Sequence, residues 1–332
     1  MPDQIDCTVT VAGTGSYVPE KILTNDDLAK LVDTSDEWIT SRTGIRERRI
    51  AADGEATSDL GTKAALEAMD DAGITADEID LIIVATVSPD MFFPSTACFI
   101  QKKIGAKNAV CFDVSAACSG FLYALQICRH FINGGNRKTA LVIGAEKLST
   151  MTNWEDRNTC VLFGDGAGAV VLREEPGASR HIISSSLASD GEQTDILTVP
   201  GGGSACPITP ENAELRLNTI AMQGREVYKH AVNAMRRAAE DALEKAGFTA
   251  DQVDMIIPHQ ANRRIIEAVT DRLGVSKEKT FVNLEKYGNT SAAAVAIALD
   301  EANRSGAIKS GDLVLMVAFG SGLTWASTLM RW

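Results

Sequence analysis

Cys118 sits in Ser115-Ala116-Ala117-Cys118-Ser119-Gly120, a run of small residues that leaves room for a substrate beside a thiol. The preceding Ala109 to Val114 reads as a short buried strand. From Ser119 onward Phe121, Leu122, Ala124, Leu125, Cys128, Phe131 and Ile132 recur at helical spacing until Asn133-Gly134-Gly135 stops them. The thiol is therefore expected where a strand turns into a helix. Unpaired backbone N–H groups and the helix dipole at such a place favour a thiolate, the nucleophilic form of cysteine. An isolated buried cysteine is more often inert packing, so catalysis needs further groups from elsewhere in the chain.

The second half of the sequence offers two. Of the four histidines, His130 falls on the polar side of the helix after Cys118, His181 begins a strand, and His230 lies beside Lys229 on a helix. His259 differs, because it follows the apolar Met255 to Pro258 at its carboxyl end, where α/β sheets place their ligands. Asn289 lies in Tyr287-Gly288-Asn289-Thr290-Ser291, between an expected strand Thr280 to Leu284 and a small-residue helix Ala292 to Leu299. Alone it reads as a helix cap. With Cys118 and His259 at corresponding strand ends, it becomes a candidate member of one site.

These positions belong to a chain of 332 residues, 45% hydrophobic and 23% charged, with 27 Gly and 9 Pro. That is a globular composition with room for two core-bearing units. Seven cysteines, an odd number without CxxC pairs or metal spacing, point to a reduced cytoplasmic protein with no structural zinc. Met1 to Asp6 shows no signal segment, and no apolar run is long enough to span a membrane. Lys+Arg 32 against Asp+Glu 44 gives a net charge of −12, which argues against nucleic acid as the ligand.

The elements that must hold the site come as a duplication. Ala72-Gly-Ile-Thr-Ala-Asp-Glu-Ile-Asp-Leu-Ile-Ile83 recurs as Ala246-Gly-Phe-Thr-Ala-Asp-Gln-Val-Asp-Met-Ile-Ile257, and Thr139 to Gly144 recurs as Asp312 to Val317. Each half reads helix, strand, helix, strand, helix, strand, so the expected organisation is two α/β halves, 1–175 and 176–332. Ahead of the repeat, Thr8 to Gly13 reads as a strand ended by Gly13-Thr14-Gly15. Two short helices, Asn25 to Val32 and Ser35 to Arg42, follow, then an amphipathic helix from Ser58 to Ala72. The glycine run Gly164 to Gly168 leads into a strand, whereas a dinucleotide fingerprint opens a helix. It reads as close packing in a tight turn, and a nicotinamide enzyme is rejected.

The motifs DVSAACSG around Cys118, HQAN from His259 and GNTSAA around Asn289 resemble the three catalytic motifs of β-ketoacyl-acyl-carrier-protein synthase III. So do Asp36-Glu-Trp38 with Arg42-Thr-Gly-Ile-Arg46, and the closing Ala318-Phe-Gly-Ser-Gly-Leu-Thr-Trp325. The resemblance runs from about Val9 to Trp332. It implies the thiolase fold, a five-layered α-β-α-β-α sandwich, usually as a homodimer. It also implies an acyltransferase that condenses an acyl-CoA with malonyl-acyl carrier protein, losing CO₂, to begin fatty acid synthesis. No cofactor or metal is implied, since both partners of the reaction are substrates.

Carried over residue by residue, the resemblance makes Cys118 the acyl carrier and His259 and Asn289 the donors to the decarboxylated enolate. The N–H groups of Cys118 and Ser321 become an oxyanion hole, with Ser321 standing where the family commonly has Gly. Trp38, Arg42 and Arg157 match contacts to CoA, and Phe93 matches a residue that reaches the partner subunit's acyl pocket. Arg263, Arg264, Arg225 and Lys229 are expected to dock the acidic carrier protein. The Gly- and Ser-rich Ile196 to Pro207 is expected to cover the acyl region. A sister condensing enzyme of secondary metabolism, with the same three residues, is the alternative. A non-catalytic homologue would have lost one of them.

Overall fold

The computed structural model describes residues 8–332; the reading of Met1 to Asp6 and Cys7 lie outside them. The first part of the chain contains β1 (Val9–Tyr17), β2 (Lys21–Thr24), α1 (Asn25–Leu28), α2 (Asp36–Thr43), β3 (Glu47–Ile50) and α3 (Thr57–Ala72). It continues with β4 (Leu81–Ala85), α4 (Thr96–Ile104), β5 (Val110–Val114), α5 (Gly120–Asn133), β6 (Thr139–Lys147) and β7 (Asp165–Glu174). Five of these strands form one sheet in the order β1-β7-β6-β4-β5, with β6, β4 and β5 parallel. The apolar β4 is buried at every position, as expected for a central parallel strand.

The remainder contains β8 (His181–Ser189), β9 (Leu197–Thr198), β10 (Ala221–Met222), α6 (Gly224–Ala246), β11 (Met255–Pro258), α7 (Arg263–Leu273), α8 (Leu284–Tyr287), α9 (Ala293–Arg304), β12 (Leu313–Gly320) and β13 (Thr324–Arg331). A second sheet runs β11-β12-β13-β8. Its four strands repeat four of the first sheet's five, with β11 in the place of β4, β12 of β6, β13 of β7 and β8 of β1, and β5 has no counterpart. Helices α5 and α9 fill the space between the sheets, sharing one apolar core with both. Outside them, α3 and α4 cover the first sheet and α6 and α7 the second. The result is the five-layered sandwich of the thiolase fold.

Three expectations need correction. The strand from Thr280 to Leu284 does not form; only a single bridge joins Thr280 to Ile256. Pro258 has no N–H to continue that ladder. Instead the buried Gln260 side chain donates to Phe281 O and accepts from Asn283 N, at 3.2 and 3.0 Å. Nor is β5 buried, because it lies at a sheet edge with Val110 42% exposed.

The glycine pairs are the third correction. β1 runs on through Gly13 and Gly15, where a Cβ would stand 2.5 and 2.4 Å from the α3 backbone. The run at Gly164 to Gly168 likewise enters β7 directly, and a Cβ on Gly168 would lie 2.6 Å from Ala296 and Ile297. These glycines let helices approach the sheet; they do not make turns.

Candidate active site

The turn from β5 into α5 is one 3₁₀ turn, Ala117–Ser119, entered through Ala117 at φ 45°. The second sheet holds it in place. Thr324 Oγ1 donates to Ala116 O at 2.9 Å, and Ser119 Oγ donates to Thr324 O at 3.1 Å. Gly320, at the end of β12, comes so near that a Cβ there would stand 2.6 Å from the Cys118 nitrogen. Cys118 itself is only 8% exposed. Burial pushes its thiol up to about 12, against a hydrogen bond from Ser291 that pulls it down. The thiolate expected from helix position alone is thus opposed by loss of solvent, and the resting group is a thiol.

His259 follows β11 and is fixed by its own N–H, which donates to Val317 O at 2.7 Å. Burial holds its imidazole down at about 4, so the ring is neutral near pH 7. Its Nδ1 is buried without a hydrogen-bond partner. Asn289 is bridged to Phe163, its backbone N–H donating to Leu162 O at 2.8 Å. Its side-chain Oδ1 accepts the N–H of Ser291 at 2.8 Å in a local turn; it does not cap α9, whose N-cap is Ala292 without a side-chain bond, so the cap read from sequence is not formed. That bond assigns the oxygen to the turn and leaves the NH₂ for the cavity that Asn289 lines.

Cys118, His259 and Asn289 line one cavity of about 740 Å³, together with Trp38, Arg42, Arg225 and Arg264. Cys118 also lines a second, more apolar cavity of about 730 Å³. The two share Cys118, Phe163 and Leu197, so the thiol stands at their junction. Ser321 and residues 197–199 and 201–203 wall the second cavity, in line with the expected cover by Ile196 to Pro207.

Two guanidinium groups stand over the Trp38 ring, Arg42 at 4.9 Å and Arg157 at 5.2 Å from its centroid. Arg157 also donates to Asp33 O at 2.7 Å. Arg264 donates to Ser41 O at 3.2 Å. Arg263 packs over Gly44 and faces Glu285 at 3.7 Å, while Lys229 faces Glu226 at 3.7 Å. Arg263, Lys229 and Arg157 are not among the cavity walls. Phe93 does not line the apolar cavity either; it is 84% exposed, while Phe92 and Met91 do line it.

Residues 112–191 match the family model described as 3-oxoacyl-[acyl-carrier-protein] synthase III, and residues 243–332 match its C-terminal counterpart. A β-ketoacyl-[acyl-carrier-protein] synthase III of Caldanaerobacter subterraneus is 57% identical over 97% of each chain. The chain belongs to this family. A 3-oxoacyl-[acyl-carrier-protein] synthase III structure from Aquifex aeolicus matches with TM-score 0.90 at 49% identity, covering 98% of this chain and 100% of that one. A priming β-ketosynthase from the R1128 polyketide pathway has TM-score 0.89 at 37% identity, covering 98% and 96%. The higher identities favour the fatty-acid family over the secondary-metabolism alternative.

Two residues at this site escaped the sequence reading. Gly320 was quoted within a motif, but its close approach to Cys118 was not foreseen. Glu146 is fully buried near Cys118, and its signal was available: a lone acid in the apolar run Thr139 to Glu146. Among the described residues, no group of His, Cys, Asp and Glu could hold a metal, and no helix is long and apolar enough to cross a membrane.

Proposed function

We propose that this chain transfers an acyl group from acyl-CoA to Cys118 and condenses it with malonyl-acyl carrier protein. The products are CO₂ and a 3-oxoacyl-acyl carrier protein, the opening condensation of fatty acid synthesis. The observation that carries this reading is the place of Cys118 between two cavities. One is walled by Trp38, Arg42, His259 and Asn289, the other by apolar side chains.

The first cavity takes the CoA arm and later the malonyl arm. It offers Trp38 and the Arg42 guanidinium, with Arg157 over the Trp38 ring outside the cavity wall, groups that suit an adenine and phosphates. The second takes the acyl chain. After acylation, loss of CO₂ from malonyl leaves an enolate oxygen. Neutral His259 and the Asn289 NH₂ both donate hydrogen bonds there without needing to ionise. The N–H groups of Cys118 and Ser321 hold the tetrahedral oxyanion, and each such donor is worth about 10²–10³ in rate. Because only the Ser321 backbone is needed, its hydroxyl is free to bond Leu197 O.

The exposed edge of β5, beside Phe92 at 85% and Phe93 at 84% exposure, supports a homodimer in which Phe93 enters the partner's acyl cavity. Arg225 and Arg264 at the cavity wall support docking of the carrier protein there, with Arg263 and Lys229 behind them. Six unpaired cysteines among the described residues fit a reducing cytoplasm.

Intact-mass measurement after incubation with a panel of acyl-CoAs tests this function. One acyl adduct is expected on the wild type and none on Cys118→Ala. A normal adduct on that variant, or one mapped to another cysteine, overturns the assignment.

A further inference from the structure

Two cysteines outside the active site face each other. Cys98 stands in the first turn of α4 and Cys111 in β5, with their sulfurs 3.5 Å apart. Both are free thiols and partly exposed. Neither lines the two cavities that meet at Cys118. Asp113 ties the two elements together, its carboxylate accepting the N–H groups of Thr96 and Ala97 at 2.6 and 2.8 Å. The sulfurs therefore meet between segments whose backbones are already held beside each other.

The surroundings of the two thiols differ. Ser95 Oγ donates to Cys98 Sγ at 3.2 Å, and the first turn of α4 adds the positive end of its dipole. Both put positive partial charge against this sulfur, the setting in which a cysteine attacks. Cys111 Sγ instead donates to Gln101 Oε1 at 3.3 Å. Gln101 Nε2 is engaged by the carbonyls of Ala106 and Ala109, at 3.1 and 2.7 Å, which turns the amide oxygen to that thiol. Burial, with Cys98 and Asp113 close by, pushes the Cys111 thiol up to about 12. Cys111 keeps its proton, and Cys98 is the sulfur placed to react first.

We infer that Cys98 and Cys111 form a redox-active dithiol, which a small peroxide converts to a disulfide ahead of any oxidation at Cys118. The Cys98 sulfur attacks one peroxide oxygen. The S–O bond forms, the O–O bond breaks, and the departing oxygen leaves as water with the Cys98 proton. Cys111 then attacks the sulfur of that sulfenic acid. The S–S bond forms, the S–O bond breaks, and a second water leaves with the Cys111 proton. Two thiols lose two electrons in all, and one peroxide becomes two waters.

A disulfide of about 2.05 Å requires the sulfurs to approach by about 1.5 Å, which side-chain rotation supplies while Asp113 keeps the backbones in place. Cys118 is the poorer target, because it is 8% exposed and burial holds its thiol up at about 12. Cys111 packs against the core between the first sheet and its outer helices. The pair thus lies on a face of the sheet, away from the open edge of β5 where a second copy would pair.

The reduced protein, treated with stoichiometric hydrogen peroxide, tests this inference. Remaining thiols are capped with iodoacetamide under denaturing conditions and the peptides mapped by mass. Cys111, Cys118 and Cys128 fall between Lys107 and Arg129, so fragmentation has to locate the link within that peptide. The expected result is loss of two hydrogens, a Cys98–Cys111 link that dithiothreitol reverses, and a capped Cys118. Cys111→Ser should leave Cys98 as a sulfenic acid captured by dimedone, and Cys98→Ser should leave Cys111 a thiol. A link between other cysteines or between chains, oxidation of Cys118 before the pair, or full capping of Cys98 and Cys111 overturns the inference. Dimedone on Cys111 in Cys98→Ser overturns the order of attack. The wild-type map alone decides the pairing, whether or not the serine variants fold. No acyl donor enters the experiment, so its outcome is independent of the acyl transfer proposed above.

Discussion

Gly320→Ala places one methyl group against the turn that carries Cys118. A Cβ at 320 would meet Cys118 N at 2.6 Å, Ala117 Cβ at 3.0 Å and Ser119 N at 3.1 Å. Ordinary contact begins near 3.4 Å, so the turn must retreat by about 0.8 Å from β12. Neither side yields easily, because Ala116 and Ser119 are bonded to Thr324 on the next strand. Overpacking of this kind costs about 1–3 kcal/mol of stability. The larger effect is on chemistry: a shift of roughly 1 Å in a reacting group costs about 10² in rate. Rapid-quench intact mass should therefore show acylation of Cys118 about 10²-fold slower, with a folded protein and a modestly lowered Tm. Gly191→Ala is the control, since nothing lies within 4 Å of a Cβ there and its backbone is not left-handed. Wild-type acylation in a folded Gly320→Ala protein would refute the claim that glycine is required for this approach.

Asn289→Ala should keep acylation from acyl-CoA within about tenfold while decarboxylation of malonyl-acyl carrier protein falls by roughly 10²–10³, the effect of one lost donor. Equal loss in both half-reactions, measured separately, would reduce Asn289 to its turn bond with Ser291. Arg264→Glu should raise KM for malonyl-acyl carrier protein about tenfold at low salt, with kcat little changed and a flatter salt dependence than wild type. Unchanged carrier-protein kinetics would remove Arg264 from the dock. Stability should also fall as pH drops from 6.5 towards 4. Unfolded His259 binds a proton in that window while the folded ring, held at about 4, does not, a difference of about 3 kcal/mol in full. The stabilising contribution is complete above the unfolded value and lost by the folded one. His259→Asn should flatten that part of a pH series of denaturant melts, and an unaltered slope would count against a buried neutral imidazole.

The repeated α/β unit and the gathering of Cys118, His259 and Asn289 at one cavity were legible in sequence, and the five-layered fold followed from the family resemblance. Their signals are local: apolar runs of strand and helix length, a repeated segment entering β4 and β11, and short motifs at strand ends. Three features were not legible. Whether Thr280 to Leu284 pairs as a strand depends on the Gln260 side chain, which competes for its backbone groups from more than twenty residues away. Whether Gly13 and Gly15 end a strand, and whether Gly168 packs closely in a turn or within a strand, depends on where α3 and α9 pack, which composition does not encode. The charge state at Cys118 was misread for the same reason. Helix position is a property of neighbours in sequence and favours the thiolate. Burial arises only when both sheets close over the turn, and it favours the thiol. Glu146 stands 28 residues from Cys118 in sequence, and only folding brings its charge near enough to raise that thiol.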